Sequence, residues 1–451
     1  MPRARSSRAL LLLGALVALV PIAAARAAAP AEVAEVTLDN GLQLLAVEDH
    51  RSPVVSVQVW YRVGSRNERP GATGLAHFLE HMMFKGTPSH GRGEFARLVE
   101  QNGGQDNAFT TQDVTSYFVD IAADKADMVL GLEADRMRHL LLAPKEIDSE
   151  RQVVMEERRT RTEDDPDGLL AEAMNSLAFR AHPYRWPTIG WMEDIRRIDP
   201  AELRAFYDLY YEPNNALLVV VGDVTASEIA GRVRQVFGPI PRAAAPPVVT
   251  AVEPPPFGER RVVLKKAGAE LPIVDIAWIV PNHESPDAPV LELISTILSE
   301  GRASRLYRRL VYERRLALGA GGEYSYFSRD PNLFSVYATP LPGQTPETLE
   351  QALLGEIEQL KHEPVPGEEL ERAKNQIEAS FVWSQDSVHS RASVLARFQL
   401  IGSWRKLAEF VPRVRAVTAA DIQRVARTYF SGDGKTLGTL LPADDRKPAP
   451  R

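Results

Sequence analysis

The chain has no cysteine among its 451 residues. That excludes disulfides, thiolate nucleophiles and thiolate metal ligands. Only His, Asp and Glu remain as side chains suited to hold a metal ion. Histidine is itself scarce, with nine residues in the whole chain, so two placed side by side carry weight. Beyond the N-terminus there is no uninterrupted run of about 18 apolar residues, and a helical membrane span in the body of the chain is not expected. There is no G-x-x-x-x-G-K-[ST] phosphate loop and no G-x-S-x-G nucleophile elbow. Nucleotide-dependent and serine-hydrolase chemistry therefore lack a motif.

What is present reads as a globular body behind a targeting segment. Hydrophobic residues make up 44% and charged residues 25%, so the body has enough apolar material to fold. Its length suits two domains of roughly 200 residues each. Residues 1–27 stand apart: Arg3, Arg5 and Arg8 precede "ALLLLGALVALVPIAAA", and Ala25-Arg26-Ala27 offers a small-x-small cleavage site. This reads as a secretory signal peptide, with an uncleaved anchor as the rival reading. Loss of Arg3, Arg5, Arg8 and Arg26 would take the formal charge from −7 to −11. An acidic body argues against non-specific nucleic-acid binding. A secreted, cysteine-free chain suits the bacterial periplasm better than a small extracellular scaffold.

Residues 33–240 form one unit. Residues 241–261, "PRAAAPPVVTAVEPPPFGERR", read as a proline-rich linker. A second unit covers 262–441, and 442–451 read as a tail. The two units resemble each other. "IDPAELRAFYDLYYEPNNALLVVV" from Ile198 matches "VTAADIQRVARTYFSGDGKTLGTL" from Val417 without a gap. Asp199 and Thr418 stand at the helix N-cap in each. "PVVSVQVW" from Pro53 and "PIVDIAW" from Pro272 are alternating strands. The expected fold class is α+β, duplicated.

The chemistry gathers in "GLAHFLEHMMFKGT", Gly74 to Thr87. As a helix it places Leu75, Phe78, Leu79, Met82 and Met83 on one apolar stripe. His77, Glu80 and His81 fall on another face, and two imidazoles at i and i+4 can share one metal ion, usually zinc. Glu80, between them, can act as a base without being a ligand. A polar outer face is the plainer alternative. A catalytic zinc needs a third protein ligand, and "EIDSERQVVMEERRTRTEDDP" is the segment that could supply it. There Glu150, Val154 and Glu157 share a helix face, although the stretch also reads as a solvated charged helix.

H-x-x-E-H followed by a glutamate 76 residues after His81 resembles the pitrilysin/insulinase zinc peptidases, whose motif inverts H-E-x-x-H. "NGLQLLAVED", "NGGQDNAFTTQDVTSYF" and "YYEPNNALLVVVGDV" are similar to that family too, and the likeness covers nearly the whole mature chain. It is closest to short, two-domain bacterial members similar to mitochondrial processing peptidase. The resemblance implies two homologous α/β-sandwich domains forming half of a clamshell, one Zn2+ per chain, and hydrolysis of unfolded polypeptides or peptides. It selects Glu157 over Glu156 as third ligand beside His77 and His81. It makes Glu80 the general base and Glu150 a supporting residue that orients a ligand. It places a peptide as an added strand along Asn107, Ala108 and Phe109.

The sequence departs from that family in the second unit. Active members carry an Arg and a Tyr seven residues apart after a "SRLY"-type helix; here Val311 and Leu318 occupy those positions. Arg308, Tyr312, Arg314 and Arg315 lie nearby at other spacings. "LELISTILSEG", the counterpart of the H-x-x-E-H helix, lacks the motif. The expectation is a zinc-bearing subunit that pairs with a related chain supplying the Arg/Tyr pair. A homodimer or a self-sufficient chain is the competing view. A non-catalytic assembly protein is the alternative function, against which the complete set His77, Glu80, His81 and Glu157 argues.

Overall fold

A computed structural model describes residues 32–443. The expected signal peptide and residues 444–451 of the expected tail lie outside the described residues. No helix among the described residues is long and apolar enough to cross a membrane.

The first half contains strands β1 (Val33–Thr37), β2 (Gln43–Glu48), β3 (Val54–Tyr61), β4 (Gln105–Thr110), β5 (Thr115–Ala122) and β6 (Ala216–Gly222). Its helices are α1 (Leu75–Met82), α2 (Glu94–Gln101), α3 (Ala126–His139), α4 (Pro144–Arg158), α5 (Pro166–Ala178), α6 (Met192–Arg197), α7 (Pro200–Tyr210) and α8 (Ala226–Phe237). The second half has β7 (Arg260–Lys266), β8 (Ile273–Val280), β9 (Ala317–Tyr324), β10 (Asn332–Pro340) and β11 (Lys435–Pro442). Its helices are α9 (Ala288–Ser299), α10 (Pro346–His362), α11 (Gly367–Trp383), α12 (Val388–Leu400), α13 (Leu407–Ala416) and α14 (Ala419–Tyr429).

The sheets run β1-β2-β6-β3-β5-β4 and β7-β11-β8-β10-β9. Apart from β1, the orders correspond strand for strand. Each holds one parallel pair, β2 with β6 and β7 with β11, and is otherwise antiparallel. Asp199 and Thr418 do cap α7 and α14, accepting backbone N–H bonds from Ala201 and Asp421 respectively. The fold is thus a duplicated α+β arrangement.

Alternation along the strands sends two sets of side chains to opposite faces. On the first sheet Leu44, Val57, Val59, Leu218 and Val220 pack under the helices of their own half. Leu45, Val47, Trp60, Leu217, Val219 and Val221 face the other way and are equally buried. That second face is covered by α12 from the second half, through Ala392, Leu395, Ala396 and Leu400. The exchange is mutual: Leu170 and Met174 of α5, a first-half helix, lie on Ile273, Ala277 and Leu440 of the second sheet. Each half lends one helix to the other, so each sheet carries a helix of the opposite half on its second face.

The linker needs one correction. Strand β7 begins at Arg260, two residues inside the stretch read as linker, and only 241–259 lack regular structure. The paired charges of Arg260 and Arg261 hid the strand; an edge strand tolerates such charges because one side faces water. The linker is also pinned: the Glu253 carboxylate accepts backbone N–H bonds from Arg180, Ala181 and His182 at 2.8–2.9 Å.

Candidate metal centre

Helix α1 is short, and its start is held without an ordinary cap. Gly74 at the N-cap is left-handed, with φ 89°, and offers no side chain. Glu68 substitutes from upstream: its buried carboxylate accepts N–H bonds from Gly74 (2.7 Å) and Ala76 (2.8 Å). These are among the free N–H groups that every helix N-terminus leaves. Gly190, with φ 88°, packs directly against Gly74, and a Cβ on either would meet the other's segment at 2.6 Å. Only glycine satisfies both the angle and the approach. Leu75, Phe78, Leu79 and Met82 are buried beneath the helix, as the stripe required, and His77 is sunk to 8% exposure.

Helix α4 brings the remaining groups. Its Ile147, Glu150 and Val154 are buried, which aims the Glu150–Glu157 face at α1. His77 Nε2 lies 3.7 Å and His81 Nε2 3.2 Å from the same oxygen, Glu157 Oε2. One ligand atom from each of the three residues falls within 4.8 Å of the others. On the far side of its ring, His81 Nδ1 is 2.8 Å from Glu150 Oε1. The structure thus brings His77, His81, Glu150 and Glu157 together. Glu80 stands beside them, receiving a hydrogen bond from the Thr110 hydroxyl.

Three contributors were missed by sequence reasoning. Thr110 touches Glu80, Lys85 pairs with Glu150, and Arg161 Nη1 lies 2.7 Å from Glu157 Oε1. Lys85 sits four residues after His81, a helical neighbour position that could have marked it. Arg161 lies in a π-helical turn, Arg159–Glu163, that continues α4; such turns cluster at functional sites, but no sequence pattern announced this one.

Burial and the neighbouring carboxylates act on the two imidazoles in opposite directions. Burial, reinforced by His81, depresses the His77 pKa. Burial also works against His81, but hydrogen bonds to Glu150 and Glu157 overcome it and hold that imidazole at about 9. The bond to His81 keeps Glu157 low. Two imidazoles plus a carboxylate form a common donor set of catalytic zinc. His77 Nδ1 is buried without a hydrogen-bond partner among the described residues, so packing alone fixes that ring. Glu80 is pushed upward, chiefly by burial, which brings it nearer the range useful for a base at neutral pH.

The centre opens into a cavity of about 930 Å³ whose lining includes Asn107, Ala108, Phe109 and Thr110. These belong to β4, which among the described residues is the outermost strand of its sheet and pairs only with β5. An edge strand presents backbone groups to a further strand. Among the described residues the second half has no equivalent centre. Helix α9 carries Glu292, Ser295 and Thr296 at the spacing of His77, Glu80 and His81, ahead of Gly301 where the first half has Gly86. Leu318 is 48% exposed on β9 and Tyr312 is 75% exposed.

Residues 43–190 match the family model described as insulinase, peptidase family M16, and residues 197–377 match that of the peptidase M16 inactive domain. The chain belongs to peptidase family M16. Zinc protease PqqE of Helicobacter pylori is 34% identical over 410 residues, covering 90% of this chain and 92% of that protein. Zinc protease YmxG of Bacillus subtilis, itself uncharacterized, is 28% identical over 403 residues, or 88% and 95% of the two chains. Among solved structures, a protease from Helicobacter pylori superposes with TM-score 0.89 at 34% identity, covering 91% of this chain and all of that one. An M16 inactive domain from Pseudomonas fluorescens shares the fold at TM-score 0.83 and 19% identity, covering 92% and 99%. The M16 chain is therefore a short member with two related domains, and its relatives are named zinc proteases.

Proposed function

We propose that this M16 chain is a zinc metalloendopeptidase that hydrolyses peptide bonds in unfolded polypeptides or peptides. The observation that carries the reading is the convergence of His77, His81 and Glu157 beside a half-buried Glu80, at the open edge of β4. His77, His81 and Glu157 would hold the ion. Zinc, when bound, supplies a Lewis acid that acidifies water and polarises the scissile carbonyl. Glu80 takes the proton of the attacking water and delivers it to the leaving amine. The Thr110 hydroxyl orients the Glu80 carboxylate. Glu150 fixes the His81 ring through Nδ1, and Lys85 balances the charge of Glu150. Backbone around Asn107, Ala108 and Phe109 pairs with the peptide as an added strand, which makes binding tolerant of side chains.

The chain acts in the periplasm and joins a related subunit that supplies the Arg/Tyr pair its own Val311 and Leu318 do not provide. The second reading, a subunit without activity of its own, is favoured by those same two positions. One experiment separates them. The mature chain is assayed for zinc content and peptide cleavage, alone and with a related partner, beside Glu80→Gln. Zinc binding with partner-dependent cleavage that Glu80→Gln abolishes is the expected result. Unchanged cleavage by the zinc-loaded Glu80→Gln chain would remove Glu80 as the base. Full activity alone would remove the partner.

A further inference from the structure

A second cavity lies on the seam between the halves, on the side of β4 turned away from the metal ligands. It measures about 300 Å³, the lower end of the range for ligand sites. Trp60, Phe109, Phe327, Leu400 and Ile401 form its apolar lining. Phe109 also lines the metal cavity, so this residue connects the two spaces. Its ring packs edge-on against Trp60, with centroids 5.3 Å apart, which fixes the wall between them.

The charge of the seam cavity is one-sided. Arg397 of α12 enters its lining, with the guanidinium carbon 5.8 Å from the Phe327 ring centre. It is itself exposed, makes no ion pair among the described residues, and partial desolvation lowers its pKa. Arg329, exposed, adds a second cation at the rim. The carboxylate present, Asp113, is already engaged. It accepts from the Tyr184 hydroxyl at 2.7 Å and the Arg329 backbone N–H at 3.0 Å, and pairs with Arg66 at 3.3 Å. An aromatic pocket with an uncompensated guanidinium suits an apolar group that carries a negative charge.

Building on the peptidase reading, we propose that the seam cavity is a substrate-selecting subsite. It takes an apolar residue of the bound peptide together with an adjacent carboxylate, which Arg397 pairs. The carboxylate can be an internal Asp or Glu side chain or the peptide's free C-terminus; the chemistry recognised is the same. Selection by charge would then be added to the side-chain-tolerant pairing along β4.

The test is peptide binding to the full zinc-loaded chain carrying Glu80→Gln, read by fluorescence anisotropy. Two matched peptide pairs are used: internal Phe-Glu against Phe-Gln, and C-terminal Phe as the free acid against its amide. In at least one pair the carboxylate form should bind about fivefold to tenfold tighter. Adding Arg397→Gln should bring that pair to parity, and Arg397→Lys should keep part of the preference. Equal binding within both pairs, or a preference that survives Arg397→Gln, overturns the proposal. Cleavage of the neutral peptides by the unsubstituted chain together with its related partner is scored separately. Loss of that cleavage counts against the peptidase reading, and the anisotropy pairs still decide the subsite.

Discussion

His81 Nδ1 lies 2.8 Å from Glu150 Oε1, while the other nitrogen of the same ring lies 3.2 Å from Glu157 Oε2. The imidazole is thus clamped from behind by one carboxylate and aimed at a second. Partners of this kind set ring orientation and raise ligand basicity. Replacing Glu150 by Gln keeps an acceptor but removes the charge; replacing it by Ala removes both and leaves Lys85 unpaired. Zinc affinity should fall by roughly tenfold for Gln and approach a hundredfold for Ala. Competition against a chelator of known affinity measures it. Unaltered zinc affinity in both variants would show that Glu150 does not act through the ring.

The start of α1 depends on Glu68 and on the contact between Gly74 and Gly190. Glu68→Ala strips acceptors from two buried N–H groups, each worth about 1–3 kcal/mol when orphaned. The expected loss of stability is about 2–4 kcal/mol, read from urea unfolding of the metal-free protein. Gly190→Ala adds a left-handed non-glycine residue and a clash at 2.6 Å with the Gly74 backbone. Both changes should also weaken zinc binding, because the first turn of α1 carries His77. A variant that loses stability yet keeps zinc affinity would mean that the turn re-forms around the metal.

The opening helix was legible because its two faces obey one period: burial of Leu75, Phe78, Leu79 and Met82 leaves His77, Glu80 and His81 on the remaining surface. The capped helices α7 and α14 were legible from Asp199 and Thr418 for the same local reason. Contacts between segments far apart in sequence were not. Glu68 caps α1 from six residues before Gly74, and no capping pattern has that spacing. The exchange of α5 and α12 was hidden because an amphipathic stripe shows that a helix is covered, not which sheet covers it. Trp60 and Leu45 signalled burial on the second face of the first sheet, but their partner, Leu395, lies more than 300 residues away.

That exchange has a thermodynamic consequence. Leu395 and Leu170 are almost fully buried, each against the sheet of the opposite half. Leu395→Ala and Leu170→Ala should each cost about 2–4 kcal/mol, the usual range for such truncations. Since each helix belongs to one half and covers the other, unfolding should stay a single transition in both variants. Urea unfolding followed by far-ultraviolet dichroism and by tryptophan fluorescence tests this. Two separated transitions would show that the halves are stable without the exchanged helices.

Asp49 joins the halves electrostatically as well. Its buried carboxylate accepts from Arg51 Nη2 at 2.8 Å and from Arg391 Nη1 of α12 at 3.2 Å, and Arg51 Nη2 also donates to the Asp386 carbonyl at 2.8 Å. Hydrogen bonding to Arg51 is the main cause that holds Asp49 down at about 2, from an ordinary value of 3.8. A folded-state pKa below the unfolded one stabilises the fold above the unfolded value, and that stability is lost as pH falls through the folded value. The window is therefore pH 4 down to about 2. Because Arg51 is 60% exposed, water screens part of the interaction, and a contribution of about 1 kcal/mol is expected. Asp49→Asn should destabilise the protein by about that amount near neutral pH. It should also flatten the fall in urea midpoint between pH 4 and pH 2, with little effect on the slope above pH 5. An acid limb as steep in Asp49→Asn as in the unsubstituted chain would mean that other carboxylates carry it.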